Sequence, residues 1–315
     1  MEVLAVTCSD IHLTLTAPIS RSAEPNWLAA QERMLDQLKE VSRNYNAPII
    51  YAGDIFHKHN ASPELINWAA KKLPWGYAVP GQHDLPHHVY ADMEKSAYWT
   101  LCRIGTINHL RYKKPHFIEY DTFEKPLVMH GFPWGCNIEF TKDAPLDHDP
   151  KSVHVAVIHK YIWVSGKTYV GAPKEEKLSA YKKELEGFDA AVFGDNHKGF
   201  YGESGDCKVI NNGCLIRRRA DELHYEPFVG LICIDDEGDV YVEPEFLDTS
   251  QDLWSIDESM STDAEAIKEE LGEFLKELKS LSSDEYNFRD AVSHYLATHE
   301  VSEGVRGILM DVLED

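Results

Sequence analysis

Nine residues with carboxylate, amide or imidazole donors stand directly after, or at the end of, apolar runs of strand length. Asp10 and His12 follow the first run in SDIHL, and Asp54 follows the second in YAGDIFHK. Gln82, His83 and Asp84 follow the third in VPGQHD, His159 closes VAVIHK, and Asp195 and His197 close AVFGDNHKG. Strand ends are where an α/β sheet presents its site. Carboxylates and imidazoles suit divalent ions, and two ions about 3.5–4 Å apart need a shared ligand, which a carboxylate on a rigid strand end supplies. The expected arrangement places Asp10, His12 and His197 on one ion and Gln82, His159 and Asp195 on the other. Asp54 would bridge them and His83 would face the substrate. Each fragment is weak alone: a D-x-H is common, a G-D usually marks a turn, and a lone strand-end histidine is usually structural. Five such fragments in order carry the reading.

The elements that must position these residues are legible as continuous apolar runs: VLAVTCSD, APIIYAGD, GYAVPGQHD, PLVMHG, VHVAVIHK, DAAVFGDNH, KVINNG and FVGLICIDDEG. Continuous apolarity at this length predicts strands covered on both faces. Helices are expected over Trp27 to Asn44, over Pro63 to Leu73 with Ser62 as N-cap, and roughly over Ala91 to Arg103. The expected fold class is α/β, a two-sheet β-sandwich flanked by helices, with a small C-terminal helical appendage.

The division falls near Ser250, giving a catalytic domain over 1–247 and an appendage over 248–315. There AEAIKEELGEFLKELKSL has helical period, with Ile267, Leu271, Phe274, Leu275 and Leu278 on one stripe. From Gln251 onward the chain carries 17 acidic and 5 basic residues, within a total net charge of −22. That balance argues against a broad nucleic-acid footprint, because non-specific DNA binding rests on Lys and Arg. The six cysteines form no C-x-x-C pair, which argues against a disulfide framework or zinc knuckle. With no basic-flanked apolar leader and no apolar run near 20 residues, no membrane association and a cytoplasmic location are expected.

The ordered set D-x-H, G-D-x-F-H, G-Q-H-D, strand-ending H and G-D-N-H resembles the signature of calcineurin-like metallophosphoesterases, over roughly residues 1 to 247. Within that superfamily, SDIHL, AGDIFHKHNASPE and GQHD look closest to the SbcD-type nuclease subunits of double-strand-break repair, and INNGCLIRR resembles the segment closing their catalytic domain. The resemblance implies a DNA nuclease with two divalent cofactor ions, His83 protonating the leaving oxygen and Asp84 orienting the His83 imidazole. It also implies an SbcC-type coiled-coil ATPase partner docked on the helical appendage, and a homodimer. Two positions depart from the pattern: Gln82 replaces the usual Asn and Asp195 the usual first His of G-H-x-H. A carboxylate in place of an imidazole hardens the site, towards Mn²⁺ with Mg²⁺ as the other candidate.

Further candidates for substrate contact are His57, with His59, His87 and His88 in the same polar loops, and the basic cluster Arg217, Arg218 and Arg219. Arginine's planar fork suits phosphate, although a solvated strand edge accounts for the cluster equally. Lys160 and Lys198 adjoin ligand candidates. Because fold and metal centre do not fix the substrate, two other functions stand beside the nuclease. One is a phosphodiesterase or phosphatase for a small nucleotide or phosphoprotein, and the other is a non-catalytic scaffold.

Overall fold

A computed structural model describes residues 2–120, 123–139, 152–165, 174–255 and 296. Twelve strands form two mixed six-stranded sheets. The first sheet contains β1 (Glu2–Cys8), β2 (Ile49–Tyr51), β3 (Gly76–Ala78), β4 (Ile107–His109), β11 (Phe228–Ile234) and β12 (Val240–Phe246), in the order β12-β11-β1-β2-β3-β4. The second contains β5 (His116–Tyr120), β6 (Phe123–Phe132), β7 (Val153–His159), β8 (Ala190–Gly194), β9 (Phe200–Ser204) and β10 (Cys207–Asn211), in the order β5-β6-β7-β8-β10-β9. Each sheet contains four mutually parallel neighbours: β1 to β4 in the first, and β6, β7, β8 and β10 in the second. Parallel alignment gathers their C-terminal ends at one edge of each sheet.

One apolar core fills the space between the sheets, with Leu4, Ile50, Val79 and Ile232 from the first facing Met129, Val155, Val192 and Ile210 from the second. Fully burying such a side chain contributes about 1.5–3 kcal/mol. A second cluster, including Ile158, Ile162, Leu185, Phe188 and Phe193, covers the outer face of the second sheet. Helix α1 (Trp27–Tyr45) buries Trp27, Met34, Leu35, Leu38 and Val41 along one stripe; Asn26 caps its first turn and Asn46, at φ 51°, closes its last. Helix α2 (Pro63–Lys72) starts where Ser62 accepts the Leu65 N–H. The third expected helix is interrupted. A 3₁₀ segment covers Tyr90–Lys95, and α3 (Ala97–Arg103) begins only after Ser96, whose hydroxyl accepts the Trp99 N–H and donates to the Met93 carbonyl. A residue that satisfies backbone groups at a boundary restarts the helix there.

The chain divides into two compact units. One comprises Met1–Thr16, Asn26–Arg217 and His224–Asp252; the other comprises Ala17–Pro25, Arg218–Leu223 and the chain from Leu253. In the second unit, buried Arg21 donates to Glu24 Oε1 at 2.6 Å and its guanidinium lies 4.8 Å from the Trp254 ring centre. The appendage expected after residue 247 lies almost wholly outside the described residues. No helix among those described is long and apolar enough to cross a membrane.

All eight sequence-predicted strands are present. The four that the apolar runs missed, β4, β5, β9 and β12, are the four sheet edges. An edge strand is covered on fewer sides, so its apolar residues are diluted, as in β9, whose middle three residues are exposed.

Beside β3, three groups form a polarised chain under the sheet. Tyr98 Oη donates to the Ala78 carbonyl at 2.9 Å and so accepts from His109 Nδ1 at 2.9 Å, leaving His109 Nε2 to accept from Tyr90 Oη at 3.0 Å. This arrangement suits the neutral imidazole. Burial, with Arg111 adding to it, pushes His109 down to about 4. A depressed histidine contributes stability above its ordinary pKa and loses it as pH falls towards the folded value. Between pH 7 and pH 5 the contribution should shrink by about 2 kcal/mol. In urea titrations at these two pH values, His109→Gln should lose less stability than wild type by about that amount; equal losses would remove His109 from the account.

Candidate metal centre

The ligand-bearing segments are laced together by backbone hydrogen bonds beyond the ends of the strands. Asp10 N donates to Gly53 O at 3.1 Å, His12 N to Asp54 O at 3.0 Å and Leu13 N to Ile55 O at 2.9 Å. Continuing this lacing while turning side chains inward requires left-handed backbone at Asp10 (φ 50°), His12 (φ 50°), Asp54 (φ 53°) and Asp195 (φ 84°). Such conformations cost non-glycine residues about 1–3 kcal/mol each and gather at functional sites.

Asp10, His12 and His197 converge, with donor atoms all within 4.8 Å of one another. His12 Nε2 and His197 Nε2 stand 3.1 Å apart, and each is 3.9 Å from Asp10 Oδ1. Two nitrogens bound cis at ~2.1 Å to one ion would stand ~3.0 Å apart, so this spacing fits an ion's coordination shell. Asp10, Asp54 and His159 form a second converging group. His159 Nδ1 donates to the Ala52 carbonyl at 2.5 Å, which leaves Nε2 as the ligating nitrogen. Gln82 Oε1 lies 2.7 Å from that Nε2.

Asp54 stands between the groups. Its Oδ1 accepts the His83 N–H at 2.9 Å. Its Oδ2 is buried with no hydrogen-bond partner, 3.7 Å from His12 Nε2 and 3.4 Å from His159 Nε2. An orphaned carboxylate oxygen between two ligand sets is the position of a bridging ligand. Gly81 keeps the space open, because a Cβ there would run into Asp54 Oδ1 and His159 Nε2. The residues therefore fit a pair of divalent ions, with Asp10, His12, His197 and Asp54 beside one and Asp54, His159 and Gln82 beside the other, where Asp10 also comes within reach. Asp195, expected as a ligand, belongs to neither converging group; its Oδ1 accepts from Gln82 Nε2 at 2.6 Å.

The electrostatics carry the same message. Burial raises Asp10 to about 6, against the pull of His159 and His197. Burial and the neighbouring Asp54 raise Asp84 to about 7, although three backbone N–H groups oppose them. Burial works against the charged forms of Asp54 and His159 too, yet their mutual attraction prevails, lowering the carboxyl and raising the imidazole. Asp10, Asp54 and Asp84 are buried together in this pocket of low dielectric, and carboxylates so placed call for cations.

His83 lies beside the first ligand group, its ring 4.8 Å from that of His12 and stacked 5.2 Å from that of His57. The expected partner for its imidazole was Asp84. Instead Nδ1 donates to the His57 carbonyl at 2.9 Å, while the Asp84 carboxylate is fully buried and accepts the N–H groups of Ile55, Phe56 and Gly81 at 3.0–3.2 Å. Asp84 thus ties the Asp54 loop to the Gln82 loop.

Of the other candidates, His57 is brought into the site and Arg217 is spent elsewhere. Buried Arg217 donates to Asp252 Oδ2 through Nε at 3.1 Å and Nη2 at 2.9 Å, and to the carbonyls of Tyr225 and Thr249. The Arg218 and Arg219 backbone N–H groups, in the second unit, donate to Glu222. Lys160 lies over the Tyr181 ring. Sequence reading missed the buried asparagines of INNG: Asn211 Nδ2 holds the carbonyls of Asn196 and Lys198, and Asn212 Nδ2 holds Thr7 O. Their signal was polar residues at the end of an apolar run.

Two layered α/β sheets thus gather this candidate metal centre at their strand ends. Residues 5–199 match the calcineurin-like phosphoesterase family, and the chain belongs to that family. No curated protein matches it in sequence. Among solved structures it is similar to a Staphylococcus aureus protein assigned as a candidate 5′-nucleotidase, with a TM-score of 0.47 at 15% identity over 86% of this chain and 58% of that one. The NAD nucleotidase of Haemophilus influenzae gives 0.46 at 13% identity, over 94% and 60%. An archaeal phosphodiesterase gives 0.36 at 13% identity, over 77% and 99%. The chain spans under two thirds of the length of the first of these.

If Asp54 serves both sites, Asp54→Asn should disable both. At Mn²⁺ a hundredfold above Kd, each occupied site stabilises the wild type by about 2.7 kcal/mol. The variant should show almost no Mn²⁺-dependent rise in melting temperature. A rise half that of wild type would confine Asp54 to one ion.

Proposed function

We propose that the chain is a two-metal phosphodiesterase that cleaves DNA. The observation that carries the two-metal reading is the orphaned Asp54 Oδ2 between the His12 and His159 nitrogens. Bound at those positions, divalent ions would activate water and offset charge on the phosphoryl oxygens. The chain's own residues do the remainder. Asp54 Oδ1 fixes the His83 backbone, and the His57 carbonyl fixes its imidazole with Nε2 left for the substrate. That imidazole can then protonate the departing oxygen, a role that contributes typically 10²–10⁴-fold. His57, stacked on His83, is placed for the same phosphate.

DNA as substrate is supported by SDIHL, AGDIFHKHNASPE and GQHD, the segments that resemble SbcD-type nucleases. In this reading Mn²⁺ is the working ion, and the apolar stripe from Ile267 to Leu278 docks an SbcC-type ATPase. A second reading, a small nucleotide phosphodiester as substrate, is favoured by the net charge of −22 and by the engagement of Arg217 with Asp252.

The test is nucleotide release from labelled linear duplex and single-stranded DNA with Mn²⁺, for wild type and His83→Ala, beside bis-p-nitrophenyl phosphate. DNA should be degraded, and the variant should be slower by roughly 10²-fold or more. Cleavage of the small diester alone would transfer the proposal to the second reading, and activity unchanged in His83→Ala would remove the histidine from the mechanism.

A further inference from the structure

Gln82 and Asp195, the two departures from the family pattern, touch each other. Gln82 Nε2 donates to Asp195 Oδ1 at 2.6 Å, and Gln82 Oε1 lies 2.7 Å from His159 Nε2. The amide has only one workable orientation. Turned over, its oxygen would face the Asp195 carboxylate, two acceptors in contact. Asp195 therefore fixes which end of the amide enters the site.

We infer that Asp195 is a positioning residue rather than a metal ligand: its carboxylate aims the Gln82 oxygen at the ion that His159 holds. The inference rests on the two-metal reading above. Glutamine is one methylene longer than the asparagine of the family pattern, so its amide has an additional torsion to be restrained. A hydrogen bond from Asp195 supplies the restraint. The same residue reaches the other ion's ligands through its backbone, because Asp195 N donates to both oxygens of Asp10 at 3.2 and 3.0 Å. Its left-handed φ of 84° allows the N–H and the carboxylate to face these two targets.

Two consequences follow. The paired replacement is a matched exchange, in which Asp195 restrains the longer side chain that Gln82 introduces. The two sites are also unequal. Two imidazoles, His12 and His197, flank the first ion, whereas a single imidazole, His159, and the neutral amide of Gln82 flank the second. The second ion should bind more weakly.

The test is a Mn²⁺ titration of the full chain, followed by electron paramagnetic resonance and calorimetry, for wild type, Asp195→Asn and Asp195→Ala. Wild type should bind two ions with separable affinities. Asparagine can accept the same hydrogen bond, so Asp195→Asn should keep the weaker affinity within about fivefold. Asp195→Ala should lower it by about 10–100-fold, the range for removing a group that orients a ligand, with the tighter site unchanged. Backbone hydrogen bonds at 195 survive in both variants, and circular dichroism checks that each is folded. Equal loss in both variants would make the carboxylate a ligand, and no loss in either would leave Asp195 without a role; each overturns the inference while leaving two ions bound in wild type. Failure of wild type to bind any Mn²⁺ would overturn the metal centre itself, and the inference with it.

Discussion

Several carboxylates brought into a space that water scarcely enters impose the constraint on which the rest of this structure depends. Asp10, Asp54 and Asp84 are fully buried, and Asp195 approaches them from the second sheet. Such a group is stable only if hydrogen bonds and cations offset the lost solvation. Asp84 is satisfied by three backbone N–H groups, and Asp10 partly by Asp195 N. Asp54 Oδ2 is left, and everything near it is arranged as a shell for positive charge. The fold can be understood as a frame for that oxygen: two parallel strand sets end on opposite sides of it, one delivering Asp10, His12, Asp54 and Gln82, the other His159 and His197.

The frame is strained where it meets the site. Left-handed backbone at Asp10, His12 and Asp54 is destabilising by itself and persists because the adjoining segments over-determine it. The cross-links between the loops at 8–13 and 52–57, the Asp84 clamp and the asparagines of INNG supply that determination. Preorganised ligands need not rearrange when an ion binds, so the strain and the function belong to one design.

Much of this was legible in the sequence because the same physics writes both the core and the site. Doubly covered strands must be continuously apolar, so their ends are visible, and donors placed there stand out. Edge strands were not legible, since partial burial erases the apolar run. Nor were roles that depend on which atom meets which. Asp84 was recognised as a site residue, but its partners at positions 55 and 56 become neighbours only through tertiary packing. Arg217 stood in a basic cluster, yet a buried carboxylate at position 252 claims it. Asp195 matched a ligand position by order, while its side chain is directed to Gln82. Spacing identifies the members of a site; the distances assign their work.

The metal centre also frames the question of charge. If a protein of net charge −22 acts on phosphodiesters, as proposed, it must confine its attraction for anions to one place. Arg217 is committed to Asp252 and Lys160 lies over Tyr181, so the proposed ions would carry much of that attraction. The most direct test of the account is anomalous diffraction at the manganese edge from crystals grown with Mn²⁺. The account predicts two peaks about 3.5–4 Å apart with Asp54 Oδ2 between them. A single peak, or two that do not share Asp54, would contradict it.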